Sequence, residues 1–253
     1  MTRIITPTQI SIFAISRLAA ELEELVIRKK FKDEIPPKSE LEKQLIEDGK
    51  RHEKNLIKSF EDKNNEVVNI GNFPEKERIK ETENAMINRA SYIYQASLIN
   101  NEIKGSADVL KRIDEPSNLG DWSYIPIECK LSSTSKTTFI IQSCAYCDLL
   151  EDYQGKKVSQ FELYLGGENF QRFETKKYWN WYSILKKRYK KFIENFNEDM
   201  EIKFIPGNHG KWTDYVTGKL KKDRDLIIVA GMTQSQRIKL IKKNIKTIDD
   251  FAA

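Results

Sequence analysis

The sequence predicts an α/β fold with a mixed sheet flanked by helices, and three observations carry that expectation. Two runs of strict alternation, 103–110 and 124–131, are joined by DEPSNLGD, whose Asp, Pro, Ser, Asn and Gly chemistry suits a loop between antiparallel neighbours. Directly afterwards FIIQSCAYCDLLEDY spaces its apolar residues by three and four, as a helix does. Strand-like runs at 92–98 and 160–165 flank this unit, so strands and helices are interleaved along the chain.

Taken in order, Thr6-Pro7 reads as a cap followed by proline at the first helical position, opening one long helix that Ile35-Pro36-Pro37 stops. Ser39 and Glu42 form a capping box for a second helix, in which Leu45, Gly49, His52 and Leu56 share a stripe. A polar turn at 62–66 leads to a short strand at Val67–Ile70. Residues 81–90 form a short helix, and the strand at 92–98 then feeds the hairpin through Asn100-Asn101.

Within the hairpin, alternation sends Ile103, Ala107 and Val109 one way and Ser106 and Asp108 the other. In the second run Glu128 and Lys130 leave one face and Ile127, Cys129 and Leu131 the opposite one. Asp108 and Glu128 lie almost equally far from the middle of the loop, so pairing brings the two carboxylates together. Adjacent acids repel unless a cation sits between them, and hard oxygen ligands suit Mg²⁺ or Mn²⁺. A neighbouring lysine then orients water or neutralises charge at phosphorus. A surface hairpin with a salt bridge is the plainer alternative for the same residues, as a satisfied core histidine is for His52.

Gly105-Ser-Ala-Asp108, Glu128-Cys-Lys130 and Gln142-Ser-Cys-Ala-Tyr146, preceded by the helix carrying His52, resemble the motifs of RecB-like nucleases in the PD-(D/E)xK superfamily. Tyr94-Gln95-Ala96, Leu119-Gly-Asp-Trp122 and His209-Gly-Lys-Trp212 extend the likeness to a bacterial group of such proteins, so that it spans nearly the whole chain. The resemblance implies a restriction-endonuclease-like core and metal-dependent hydrolysis of DNA in repair or recombination. It implies that His52, Asp108, Glu128 and the backbone carbonyl of Cys129 hold one or two Mg²⁺ or Mn²⁺ ions, the histidine tilting preference towards manganese. Lys130 would position the attacking water, while Gln142 and Tyr146 orient the lysine and the scissile phosphate. Glu53, beside His52, is a weaker candidate ligand or supporting group. Some relatives carry an iron–sulfur cluster on four cysteines; this chain has three, Cys129, Cys144 and Cys147, and no cluster is expected. Such proteins commonly continue into a nuclease-like or helicase region, which makes a helicase domain or subunit an expected partner. A non-catalytic DNA-binding module that tethers such a partner is the alternative function.

From Lys176 to Lys191 the chain has seven basic residues, five aromatics and no acid. Tyr178, Trp181, Tyr182, Leu185, Tyr189, Phe192 and Phe196 repeat as a core-facing stripe, leaving Lys186, Lys187 and Lys190 for phosphate contacts on single- or double-stranded DNA. From Asp225 onward the sequence resembles a helix-hairpin-helix module, a short apolar helix, a turn and a second helix, in which Gly231 and Thr233 would meet phosphate; one of the two usual turn glycines is present. The expected domains are therefore 1–205 and 206–253. A net charge of +5 permits a polyanionic partner, unpaired cysteines fit a reducing compartment, and no apolar run suits a membrane span, which points to the cytoplasm.

Overall fold

The computed structural model describes residues 3–33, 35, 37 and 39–253. The chain divides into two compact units, Met1–Ser11 with Lys38–Glu194 and Ile12–Pro37 with Asn195–Ala253. The helices are α1 (Pro7–Ile15), α2 (Arg17–Ile27), α3 (Glu40–Glu61), α4 (Arg78–Ile87), α5 (Thr137–Gln154), α6 (Lys176–Glu194), α7 (Thr213–Lys222), α8 (Gln234–Lys242) and α9 (Ile248–Ala252). The strands are β1 (Val67–Asn69), β2 (Tyr92–Ile99), β3 (Lys104–Ile113), β4 (Ser123–Cys129), β5 (Gln160–Leu165) and β6 (Asn169–Glu174).

The first unit is built on the sheet. Among the described residues six strands run in the order β1-β2-β3-β4-β5-β6, and β1/β2 and β4/β5 are parallel while the other neighbours are antiparallel. The mixed α/β sheet expected from the sequence is therefore present. One face is packed by α3, whose Leu56, Ile57 and Phe60 meet Val109, Ile127, Cys129 and Tyr164. Phe60 stacks on Tyr92 at 3.8 Å between ring centroids. The α3 start matches its capping box: Ser39 Oγ accepts from the Glu42 amide and the Glu42 carboxylate accepts from the Ser39 amide. Helix α5 packs chiefly on β4 and ends at Gly155, where φ is +62° and an added Cβ would lie 2.0 Å from Asn118.

Strand β6 is an element the sequence reading missed. Gly166-Gly167 reads as a break, yet it begins a tight hairpin in which Gly167 and Glu168 both take positive φ, the geometry that lets β6 return along β5. Gly166 is also required by close approach, since a Cβ there would sit 2.3 Å from the Leu131 carbonyl oxygen.

The second unit closes on Leu18, Ala19 and Leu22 of α2 with Trp212 and Val216 and Leu220 of α7. The expected division at 205/206 thus differs from the observed one: α2 joins the C-terminal segment because its amphipathic face buries against that cluster. Nor is the N-terminal helix continuous. Ser16 breaks it with extended backbone and caps α2 by accepting from the Ala19 amide. The buried His209 fixes this corner: its Nε2–H donates to the Ile205 carbonyl at 2.8 Å, so Nδ1 accepts from the Ser16 hydroxyl at 2.7 Å. Helix α2 ends at Ile27, with Lys29 at φ +60°, well before the predicted Ile35-Pro36-Pro37 stop; Pro36 lies outside the described residues. The first apolar helix expected after Asp225 is only a 3₁₀ turn, Leu226–Ile228.

Leu56 is 1 % exposed in the cluster beneath the sheet. Leu56→Ala should lower unfolding stability by about 2–5 kcal/mol, read from the midpoint of urea denaturation at unchanged slope.

Candidate active site

The site is assembled by strand register. Val109 pairs with Ile127, so one step further along the antiparallel ladder Asp108 lies across from Glu128 on the same face. Asp108 Oδ2 accepts a 2.8 Å hydrogen bond from the Cys129 amide, which ties the first carboxylate to the strand bearing the second. Glu128 is 3 % exposed; Oε1 accepts from the Lys130 ammonium, while Oε2 is buried with no hydrogen-bond partner among the described residues. Lys130 is less enclosed, and its ammonium lies 5.6 Å from the centroid of the Phe139 ring at the start of α5.

Glu53 of α3 is the third acid. Its Oε2 accepts from Tyr94 OH at 3.2 Å and from Gln95 Nε2 at 2.8 Å. Gln95 stands at φ +55°, an uncommon conformation for a residue with a side chain, at the position facing Asp108; the β2/β3 pairing runs through Tyr94–Val109 and Ala96–Ala107 and skips it. The sequence reading held Gln95 only as part of a motif. Its positive φ has no signature in the sequence.

The electrostatics follow from crowding. Burial, then the Asp108 charge, pushes the Glu128 carboxyl up to about 8 despite Lys130. Burial likewise raises Asp108 against the pull of Lys130 and the Cys129 amide, and raises Glu53 with help from Asp108. Lys130 is held above its ordinary value: burial works against its charge, but Glu128 and Asp108 outweigh that cost. Among the described residues, Glu53, Asp108 and Glu128 thus crowd one another electrostatically around the single ammonium of Lys130. The surrounding hydroxyls remain protonated donors, since burial, followed by the neighbouring Glu53, lifts Tyr94 to about 12, and burial lifts Tyr146 well above the usual phenol range.

Asp108, Glu128 and Lys130 are therefore brought together, and Tyr146 supports them from α5 by donating to the Ser106 carbonyl at 2.7 Å. Gln142 is half-buried one turn earlier on α5 and makes no hydrogen bond to these three. Cys129 turns its thiol into the apolar cluster under α3, where burial raises it far above the range of a reactive thiol, and only its backbone belongs to the site. His52, which the resemblance makes a metal ligand, is held against β5. Its ring stacks on Tyr164 at 4.4 Å and 13°, with Nε2 3.4 Å from the Tyr164 carbonyl oxygen. One residue along the helix turns the direction by about 100°, and it is Glu53 that meets the acids.

No protein-family model and no curated protein matches this chain.

The expected phosphate contacts are largely occupied within the fold. Lys186 donates to Glu102 at 2.8 Å and to Asp148 at 2.7 Å, and Lys190 also bonds Glu102, so two of the three lysines turn inward; Lys187 is exposed. In the second unit Gly231 takes φ +78°, and Thr233 caps α8 by a reciprocal capping box with Gln236. The Met232 amide donates to the Val229 carbonyl and the Thr233 amide to the Gln236 side chain, while Gly231 is exposed in the turn.

Among the described residues no three His, Cys, Asp or Glu side chains stand as a ready-made cation cage. The orphaned Glu128 oxygen and the excess of acids over bases nevertheless fit a hard divalent ion. In the folded chain Glu128 keeps a proton up to about 8, against 4.5 ordinarily. The fold therefore binds more protons than the unfolded chain between these values, and its stability falls as pH rises through them. Without metal, Tm should drop from about pH 5 to 8, and Glu128→Gln, neutral throughout, should flatten the slope; a wild-type Tm that rises over this range would contradict the assignment.

Proposed function

We propose that this protein is a divalent-metal-dependent nuclease that hydrolyses DNA phosphodiester bonds in repair or recombination, built on a PD-(D/E)xK core resembling that of RecB-like nucleases. The observation that carries the reading is the charge imbalance of the site: Glu53, Asp108 and Glu128 against Lys130, with a buried Glu128 oxygen left without a partner. Such a cluster resolves by protonation or by cation binding, and strand-borne oxygen ligands favour Mg²⁺ or Mn²⁺.

Asp108 and Glu128 would hold the ion, with Glu53 within electrostatic reach of both. When bound, it supplies Lewis-acid polarisation of a phosphoryl oxygen and lowers the pKa of water. Lys130, at the open edge of the cluster, is the group able to turn from Glu128 towards a phosphate oxygen and stabilise charge developing there. Tyr146 ties α5 to the β3 backbone two residues before Asp108.

Wild-type protein should degrade end-labelled DNA in Mn²⁺ or Mg²⁺ and not in EDTA. Lys130→Ala should slow cleavage by about 100- to 1,000-fold while retaining the Tm rise that Mn²⁺ produces. Glu128→Ala should lose both cleavage and that rise. Unchanged cleavage by Lys130→Ala would sink the mechanism. DNA binding in EDTA that is indifferent to Asp108→Ala, with no cleavage under either metal, would favour a tethering module instead.

A further inference from the structure

The α6 helix does not bury all its aromatics. Tyr182, Tyr189 and Phe192 enter the core as the spacing predicts, but Trp181 is 43 % exposed and Ile184, one turn on, is 55 % exposed. The expectation that Trp181 belongs to the core stripe is thus corrected: at 100° per residue it lies away from Tyr182 and Tyr189, on the outer face. That face also carries Lys177, Lys187, Arg188 and Lys191, all exposed, and no carboxylate occurs on the helix before Glu194. Lys186 and Lys190 point the other way, bound to Glu102 and Asp148.

We infer that the outer face of α6 binds single-stranded nucleic acid, with a base stacked on Trp181 and phosphates met by Lys187 and Arg188. A large aromatic and an aliphatic side chain left in water amid cations suit a polyanion that also presents flat apolar faces. Unpaired bases supply those faces, whereas a duplex hides them in its own stack. The stretch from Trp181 to Arg188 covers about 10 Å of helix, the length of a few stacked nucleotides at roughly 3.4 Å each. Lys177 contributes less, because Glu174 pairs with it at 2.6 Å. The inference rests on the nuclease reading for its setting and names the form of nucleic acid that reading leaves open.

The test is binding in EDTA, which needs no cleavage and so fails or succeeds independently of the catalytic assignment. A fluorescently labelled oligo-dT of about 12 nucleotides and a duplex of equal length are titrated into wild type, Trp181→Ala, Trp181→Tyr and the double variant Lys187→Glu, Arg188→Glu. Trp181 and both cations are exposed, and circular dichroism of each variant is to match that of wild type before binding is compared. Trp181→Ala should weaken oligo-dT binding by about 5- to 100-fold and leave the duplex within about two-fold; Trp181→Tyr should restore most of the loss. The double charge reversal should reduce the salt dependence of binding by about one to two in log–log slope. Equal oligo-dT affinity in wild type and Trp181→Ala would overturn the inference. So would a salt-insensitive self-association that Trp181→Ala abolishes, which would assign the face to a second copy of this chain.

Discussion

Antiparallel register sets Asp108 across from Glu128, and the neighbouring groups answer to the repulsion this creates. A sheet can place two acids side by side at small cost when both face water, which screens their repulsion. Here one is sealed from solvent and the other accepts its hydrogen bond from a backbone amide instead of from water. Lys130 neutralises part of the charge from two residues on, just past the end of β4. A third acid, Glu53, adds to the deficit instead of relieving it, so the metal-free fold carries the excess as protons.

The means of bringing Glu53 close is itself strained. Gln95 leaves the β2/β3 ladder at a positive φ and donates its amide to the Glu53 carboxylate. Ordinary strand geometry at this position would send the side chain along the pleat. Conformations of this kind persist only where surrounding packing enforces them, and Ile93 and Ala96 on either side are fully buried. Tyr164 plays the complementary part for His52, holding the imidazole in a stack.

Much of this was legible in the sequence. The hairpin, the facing acids and the lysine on their side follow from a period of two and a turn-rich loop, both local signals. The α3 capping box and the positions of β2, β4, β5 and α5 are read by the same local rules. What escaped depends on distant partners. Trp181 falls within three or four residues of other aromatics, yet a helix facing one core cannot bury a stripe that wide. Lys186 and Lys190 read as solvent-facing until Glu102 and Asp148, far away in sequence, come to meet them. Strand β6 hid behind a double glycine, which marks a tight return as readily as the end of the sheet.

The second unit is made of two pieces of chain with the whole sheet between them. Its first piece, α2, leaves the ribosome early with Leu18 and Leu22 on one face, but Trp212, Val216 and Leu220 emerge only after the sheet has been synthesised. Until then that apolar face has no native partner, and the Ser16 hydroxyl lacks the His209 ring that accepts from it. Closing so long a loop costs less entropy once the intervening segment has condensed, which brings its two ends nearer. Maturation of this small core is thereby favoured by prior folding of the part that carries the acids.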